Sequence, residues 1–310
     1  MPGLHHVTAI AGNPLRNLDF YTRVLGLRLV KRTVNFDDPG TYHFYYGDET
    51  GSPGTVLTFF PWEHAAQGLV GVGETQQTAF RVPLSSLGYW TQRLVEKGVR
   101  HEARETRFGD TVLPFSDPDG TRLALVGVPD AENERGWSGG NVPAEHAMRG
   151  FFGVTLQLAD KARTGAILTD VLGLEEAGRE GPIVRYRAGG SALGGAVDIH
   201  TLKDLGRGRQ GRGSVHHIAF RAADDAEQAA MAGKLLAHGV RHTDQRDRNY
   251  FRSIYFREPG GVLFEIATDI PGFAIDEPVA SLGSALKLPP FLEPQRGAIE
   301  KALPALEAVA

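Results

Sequence analysis

Two short stretches near opposite ends of the chain share one pattern: LHHVTAI at residues 4–10 and VHHIAF at residues 215–220. In each stretch a pair of histidines precedes apolar residues at alternate positions, which is typical of a strand with one buried face. A lone histidine in a strand is more often structural than functional. Two matching pairs indicate one shared site only if both occupy the same position in a repeated unit.

The chain contains four copies of such a unit. Each copy begins with an alternating strand, continues into a helix that ends at a glycine followed by an aliphatic residue, and then has further strands. The residues that precede the alternating runs are His6, Gln77, Gly153 and His217. The helix-ending glycines, each 20 to 22 residues later, are Gly26, Gly98, Gly173 and Gly239. This spacing predicts four βαβββ modules and an α+β fold, with the histidine pairs in modules 1 and 4.

Local signals agree with the repeat. Asn13 can cap the first helix, Pro14 suits its first turn, and Gly26 suits the left-handed residue that ends it. The turn sequences DPDG and EPGG precede the last strands of modules 2 and 4. The predicted segments are modules 1 and 2 (1–128), a linker (129–148), modules 3 and 4 (149–280), and a tail with a helix from Pro294 onward (281–310).

Composition narrows the function. The chain has 310 residues, 41% hydrophobic and 23% charged, which are globular values. A net charge of −4 from 33 basic and 37 acidic residues argues against nucleic acid as a partner. No apolar run approaches the roughly 20 residues of a membrane helix, and no signal peptide is evident, so we expect a cytoplasmic protein. Cysteine is absent, which leaves His, Asp and Glu as strong metal ligands.

The last strand of module 4, VLFEI, contains an acid among apolar residues. Burying Glu265 is costly unless its charge is compensated. The corresponding positions elsewhere are Thr58 and Ala124, with module 3 ambiguous between Asp198 and Ile199. Only module 4 clearly has a carboxylate there.

Glu265 and the second histidine of each pair, His6 and His217, make a 2-His-1-carboxylate set, the metal site of non-heme Fe(II) oxygenases. For these side chains to meet, module 1 must pair with module 4, and module 2 with module 3. The paired strands would then wrap into two open, barrel-like domains. The competing interpretation is that gene duplication preserved both histidine pairs without a metal, but duplication does not explain Glu265.

The motifs HHVTAI…FYTRVLGL and HHIAF…GGVLFEI resemble the vicinal oxygen chelate superfamily, which includes glyoxalase I, bleomycin-resistance proteins and type I extradiol dioxygenases. Over about residues 3–285 the chain is most similar to ring-cleaving dioxygenases of the hydroquinone 1,2-dioxygenase type. The segments that carry this resemblance include GSPGTVLTFFP, VPAEHAMRGF and DRNYFRSIYFREPGGVLFEIATD. The resemblance is weakest through module 3.

The resemblance implies Fe(II), in some members Mn(II), held by His6, His217 and Glu265. It also implies a small aromatic diol and O₂ as substrates. From charge and hydropathy we expect no nucleic-acid or membrane partner, and the sequence leaves the oligomeric state open, with a homo-oligomer as one option. The residues that it places around the metal or against the substrate are Tyr255, Arg248, His5, His216 and Thr8.

Strand alternation supports only part of this assignment. Thr8 shares a face with His6, whereas regular strands would turn His5 and His216 away from the metal. Arg248 also reads as part of a solvated loop, and Tyr255 as ordinary strand packing. The remaining histidines, His43 among them, are scattered. Those that flank helix ends (His101, His238 and His242) are interpreted as solvated, and His200, near Asp198, is interpreted as structural.

Two other functions stay open at this point. A glyoxalase-like lyase or isomerase would need more carboxylate, usually a second glutamate, and the chain has Thr58 at that position. A non-catalytic binding protein would need no metal at all, which the combination of His6, His217 and Glu265 argues against. The fold alone does not decide between these functions, because one scaffold hosts all three.

Overall fold

Four βαβββ modules build the protein, and the computed structural model describes residues 3–189, 193–202 and 204–306 of it. Module 1 consists of β1 (Leu4–Ala11), α1 (Pro14–Asp19) with a π-helical turn (Phe20–Val24), β2 (Arg28–Asn35), β3 (Asp38–Gly47) and β4 (Val56–Pro61). Module 2 consists of β5 (Glu74–Pro83), a 3-10 turn (Leu84–Ser86), α2 (Leu87–Glu96), β6 (Glu105–Arg107), β7 (Asp110–Ser116) and β8 (Arg122–Val128).

The second half of the chain repeats this plan after a 3-10 turn at Pro129–Asn133. Module 3 consists of β9 (Phe151–Leu158), α3 (Ala162–Ala166) with a π-helical turn (Ile167–Val171), β10 (Leu174–Glu180), β11 (Ile183–Ala188) and β12 (Ala196–Thr201). Module 4 consists of β13 (Val215–Ala222), α4 (Asp225–Ala237), β14 (Arg246–Asp247), β15 (Phe251–Arg257) and β16 (Leu263–Pro271).

The segment after β16 contains three 3-10 turns and a short helix, and residues 307–310 lie outside the described part. The turns are Phe273–Ile275, Val279–Ser281 and Glu293–Gln295, and helix α5 is Arg296–Ala302. The buried ammonium of Lys31 donates to Asp276 and Glu277, both at 2.5 Å, and so ties the segment after β16 to module 1. The segment boundaries predicted from the sequence stay predictions.

The first helix begins and ends as its sequence predicts. The Asn13 side chain accepts a hydrogen bond of 3.0 Å from the Arg16 N–H, and Pro14 occupies the first turn. Gly26 has a φ of +71°, the left-handed conformation that glycine adopts without steric cost. No helix in the described residues is long and apolar enough to cross a membrane.

Sheet topology confirms the predicted pairing of modules. One eight-stranded sheet has the order β14-β15-β16-β13-β1-β4-β3-β2, and the other has the order β10-β11-β12-β9-β5-β8-β7-β6. Module 1 therefore adjoins module 4, and module 2 adjoins module 3, each pair forming a curled half-barrel. We call these half-barrel 1/4 and half-barrel 2/3.

Strand alternation sorts the side chains of half-barrel 1/4 onto two faces. Val7, Leu57 and Phe59 lie in the main hydrophobic core. His6 and Thr8 point to the opposite face of β1, together with the β4 residue paired with Thr8, Thr58. The apolar residues therefore pack in the hydrophobic core on the outer face of the sheet, and the polar residues lie on its inner face, inside the half-barrel.

The central strand pair of half-barrel 1/4 carries two β-bulges. The antiparallel register of β1 and β13 skips one residue between Leu4 and His6 and one between Val215 and His217. The extra residues are His5 and His216. A bulge bends the strand locally and re-aims its side chains, so the regular alternation expected for these two histidines does not apply.

Strand register also resolves the ambiguous position in module 3. Glu265 lies opposite Ala219, and the corresponding partner pairs are Thr8 with Thr58, Ala79 with Ala124, and Thr155 with Asp198. The equivalent residue is therefore Asp198 and not Ile199. The expectation that only module 4 clearly has a carboxylate at this position is corrected, because modules 3 and 4 both carry one.

Candidate metal centre

Three predicted ligands meet on adjacent strands. His6 on β1, His217 on β13 and Glu265 on β16 are all buried. Their donor atoms form a small triangle: His217 Nε2 lies 3.0 Å from Glu265 Oε2, His6 Nε2 lies 3.5 Å from the same oxygen, and the two Nε2 atoms are 3.4 Å apart. One nitrogen from each ring and one carboxylate oxygen therefore point at a common centre.

The triangle fits a divalent metal. Donors about 2.1 Å from one ion and at right angles to each other are about 3 Å apart, close to the spacing observed. Glu265 Oε1 accepts a hydrogen bond from Ser253, whereas the buried Oε2 has no hydrogen-bond partner in the described structure. A buried carboxylate oxygen is costly to leave unpaired, and a cation at the centre of the triangle would satisfy it.

The electrostatics favour the protonation states that metal binding needs. Burial raises the pKa of Glu265, but His6 and His217 outweigh this effect and bring its pKa well below the usual value. Burial lowers the pKa of His217, and Glu265 offsets only part of this change. The site therefore presents an ionised carboxylate and a neutral imidazole, as metal ligands must be.

The first histidine of each pair supports the second. His5 Nδ1 lies 2.9 Å from His6 Nδ1, and His216 Nδ1 lies 2.8 Å from His217 Nδ1. Burial lowers the pKa values of His5 and His216 to about 3, so both rings are neutral. With the Nε2 atoms facing the metal position, the ligand rings carry their protons on Nδ1 and donate them to their neighbours. Such a partner fixes the orientation and tautomer of a metal-binding imidazole.

A cavity of about 300 Å³ opens next to the metal position. Aromatic and histidine rings make up most of its wall, and polar or charged side chains contribute most of the rest. The lining residues are His6, Asn35, Phe36, Asp37, His43, Tyr45, Phe60, Trp62, His216, His217, Thr243, Arg246, Arg248, Phe251, Tyr255 and Leu263. His216 therefore reaches the cavity, whereas His5 does not line it and packs against Phe251 with ring centroids 5.1 Å apart.

Tyr255 and Arg248 lie together on the module 4 side of the cavity. Tyr255 is opposite Glu265 in the register of β15 and β16, and its ring centroid is 5.9 Å from that of His217. Arg248 Nε donates to the Tyr255 hydroxyl at 3.1 Å, and Arg248 Nη2 donates to Asp37 at 3.0 Å. Arg248 is thus half-buried against the cavity, and the solvated-loop alternative does not describe it.

Thr8 lies behind the cavity wall, in a chain of buried hydrogen bonds. Its hydroxyl is 2.8 Å from that of Thr58, which is 2.9 Å from His43 Nε2. His43 Nδ1 lies 2.8 Å from the hydroxyl of Tyr45. Burial first, then His6 and His217, lower the pKa of His43 well below its usual value, so this ring is neutral.

Sequence reasoning overlooked His43 and Tyr45. They lie on β3, two residues apart and therefore on one face, and the hairpin register sets Tyr45 opposite Thr58. Both facts follow from the alternation of TYHFYYGD once its pairing with β4 is known. His43 is thus part of the cavity wall and not one of the scattered histidines.

Comparison with known proteins agrees with this geometry. A model of the Glyoxalase/Bleomycin resistance protein/Dioxygenase superfamily matches residues 3–125 and 150–266. The Bacillus subtilis protein named "Putative ring-cleaving dioxygenase MhqO" is 48% identical over 97% of this chain and 95% of its own length. The chlorohydroquinone/hydroquinone 1,2-dioxygenase of Sphingobium indicum is 36% identical over 94% of this chain and 92% of its own length.

A solved structure shows the same fold at high similarity. The crystal structure of a Bacillus subtilis protein described as a "putative dioxygenase" superimposes with a TM-score of 0.93 at 47% identity. The superposition covers 98% of this chain and 97% of that one. The similarity therefore extends through both half-barrels and includes the metal-site strands.

Proposed function

Because the chain belongs to the Glyoxalase/Bleomycin resistance protein/Dioxygenase superfamily, we propose that it is a metal-dependent dioxygenase that opens the aromatic ring of a hydroquinone or related diol with O₂. One observation carries the proposal: the unpaired Oε2 of Glu265 and two imidazole nitrogens converge beside an aromatic-lined cavity. The names of the full-length relatives support the same reaction class.

We propose His6, His217 and Glu265 as ligands of Fe(II), with Mn(II) as the alternative metal. Two histidines and one carboxylate on one face of an ion leave coordination positions free, and this set is typical of non-heme Fe(II) oxygenases. When bound, the metal supplies the redox chemistry that lets O₂ react with a diol. The extradiol position of cleavage is part of the proposal.

The chain's own residues would bind and orient the substrate. The aromatic wall accommodates one ring and excludes water from it. Arg248 is held by Asp37 next to the Tyr255 hydroxyl, so its positive charge stabilises negative charge on a bound phenolate. His5 and His216 keep the metal-binding imidazoles oriented, and His216 and Tyr255, which both line the cavity, are the candidates for proton transfer.

The lyase alternative has less support in this site. Thr58 stands at the position where a second carboxylate would be needed, and its hydroxyl is bound to Thr8 and His43. A metal-free binding protein would leave Glu265 Oε2 buried and unpaired. The cytoplasmic location stays a prediction from the sequence, and the oligomeric state stays open.

The test is anaerobic purification and metal analysis, followed by oxygen uptake with hydroquinone, chlorohydroquinones and catechols. We expect about one equivalent of iron or manganese per chain and oxygen consumption with at least one para-diol. Ring opening is identified by mass spectrometry of the product. A metal-loaded protein that consumes no oxygen with any of these diols would refute the proposal.

A further inference from the structure

The free side of the metal position faces the outer strands of module 1, β4, β3 and β2, which we call the module 1 arm of half-barrel 1/4. The outer strands of module 4, β16, β15 and β14, form the opposite arm. All three proposed ligands come from β1, β13 and β16, so none comes from β3 or β4. In place of a ligand, this arm presents Thr58, which is register-equivalent to Glu265, and Tyr45, which is register-equivalent to Tyr255. Tyr45 and Tyr255 thus stand at matching positions on the two arms, and both line the cavity.

The two tyrosines differ in their hydrogen bonding. Tyr255 interacts with Arg248 and Ser253. In the described structure, the Tyr45 hydroxyl has one hydrogen-bond partner, His43 Nδ1. A phenolic hydroxyl donates once and accepts at its lone pairs. Tyr45 therefore keeps hydrogen-bonding capacity that a molecule in the cavity can use.

The buried series of hydrogen bonds from Tyr45 to Thr8 determines whether the Tyr45 hydroxyl is left as a donor or as an acceptor. An imidazole nitrogen is a stronger acceptor than a phenolic oxygen, so the Tyr45 hydroxyl donates to His43 Nδ1, and His43 Nε2–H donates to Thr58. Thr58 in turn donates to Thr8, the next member of the chain. In this tautomer the Tyr45 oxygen presents only lone pairs to the cavity, and it accepts a hydrogen bond from a ligand hydroxyl.

We propose that Tyr45, oriented by His43, recognises the second hydroxyl of the aromatic diol. The inference rests on the proposed function, because it assumes that one hydroxyl of the diol occupies the metal. In a para-diol the second hydroxyl lies at the far end of the ring and cannot share the metal. A separate acceptor on the module 1 arm is therefore needed to bind it. Substrates would then be para-diols with a free second hydroxyl.

The test compares anaerobic binding of hydroquinone and 4-fluorophenol to the Fe(II)-loaded protein by titration calorimetry. Both molecules keep one phenol for the metal, and they differ in the second hydroxyl. We expect the wild type to prefer hydroquinone by about fivefold or more, the size of one hydrogen bond to a buried group. In Tyr45→Phe the preference should fall to about two, the statistical factor for the two equivalent hydroxyls of hydroquinone, with iron content unchanged.

The matched control is Tyr46→Phe on the same strand, which removes a hydroxyl bonded to Asn17 in the core and should keep the wild-type preference. His43→Leu should reduce the preference as well, because Tyr45 then loses the partner that orients it. An unchanged preference in Tyr45→Phe overturns the inference. If that variant and the wild type still consume oxygen with hydroquinone, only the inference fails; a wild type that neither binds diols nor consumes oxygen refutes the proposed function itself.

Discussion

The two half-barrels share one backbone plan but treat a buried carboxylate in opposite ways. In half-barrel 1/4, Glu265 Oε2 faces two imidazole nitrogens, and no Lys or Arg of the described residues pairs with it. In half-barrel 2/3, Asp198 stands at the equivalent register position and forms two hydrogen bonds with Arg185, at 2.7 and 2.8 Å. Arg185 occupies the position of Tyr255, and Asp110 also accepts from it at 2.5 Å.

This difference shows how one fold forms either an open metal-binding position or a position filled by an ion pair. The guanidinium of Arg185 neutralises Asp198 and fills the space, so the cavity there measures only about 10 Å³ against about 300 Å³ in half-barrel 1/4. Gln77 and Gly153 replace the two histidine ligands. A buried acid needs a positive partner in both places. One half-barrel supplies it from a side chain, and the other leaves that position for an ion.

The largest expected effect comes from removing the unpaired charge. Glu265→Gln keeps the shape of the side chain but removes a ligand, so metal affinity should fall by more than about 100-fold. Iron content after anaerobic dialysis against a chelator measures the loss. Asp198→Asn is the matched control in the other half-barrel and should keep its metal. Wild-type iron content in Glu265→Gln would show that Glu265 is not a ligand.

For the free energy of unfolding we expect the opposite order, with the larger loss in Asp198→Asn. Asp198→Asn leaves the buried Arg185 with Asp110 as its remaining carboxylate, so the metal-free protein should lose about 3 kcal/mol of unfolding free energy. Glu265→Gln, measured in the same urea titration, should cost the metal-free protein less than Asp198→Asn does, because imidazoles face Oε2 of Glu265 whereas a guanidinium faces Asp198. A loss below about 1 kcal/mol in Asp198→Asn would contradict the role given to the Arg185 pair.

The sequence predicts the module pairing and the metal ligands because both depend on residue type and spacing. The histidine pairs recur at nearly the same distance from the helix-ending glycines, Glu265 stands out as an acid in an apolar strand, and the strand register brings them together. The topology then follows, since ligands from modules 1 and 4 meet only if these modules adjoin. The helix cap at Asn13 and the helix end at Gly26 are also predicted from the sequence, because they depend only on neighbouring residues.

The orientation of His5 and His216 depends on the backbone and is not readable in the same way. Each sits in a bulge of the central strand pair, and half-barrel 2/3 has similar bulges, between Thr75 and Gln77 and next to Phe152. The bulges therefore belong to the fold and occur without histidine. They arise from the pairing of strands far apart in the chain, which alternation within one strand does not report.

Partners across the sheets were missed for a related reason. The choice between Asp198 and Ile199 depends on the register of β12 against β9. His43 and Tyr45 acquire their roles only when β3 is paired with β4. Arg185 gives no sign in the sequence that it neutralises Asp198, because the two residues lie on neighbouring strands and the contact is set by their pairing.

A smaller effect is expected from copying a residue of half-barrel 2/3 into half-barrel 1/4. Thr58→Asp introduces at the position of Asp198 a carboxylate that faces the free side of the metal position. Metal should be retained, while oxygen uptake with a diol should fall by about 10-fold or more, because catalytic metal sites need an open position. Thr58→Ser is the control that keeps the hydroxyl. Wild-type oxygen uptake in Thr58→Asp would place Thr58 away from the reacting groups.

The smallest expected effect concerns an ion pair that occurs in both half-barrels. In each, an aspartate in a hairpin of one module binds an arginine of the adjoining module. Asp37 binds Arg248 at 3.0 Å with a 60% exposed side chain, whereas Asp110 binds Arg185 at 2.5 Å with 25% exposure. Exposed ion pairs contribute about 0.2–1 kcal/mol, so Asp37→Asn should lower kcat/KM for oxygen uptake by about 1.4- to fivefold and leave the unfolding free energy almost unchanged.

Salt provides the internal check on this prediction. Screening weakens the exposed Asp37–Arg248 pair, so the difference between wild type and Asp37→Asn should shrink as ionic strength rises to about 1 M. Asp110→Asn should do the opposite: it lowers stability through the buried Arg185, and oxygen uptake stays at the wild-type rate. A salt-independent loss of activity in Asp37→Asn would mean that Asp37 acts on the substrate directly instead of through Arg248.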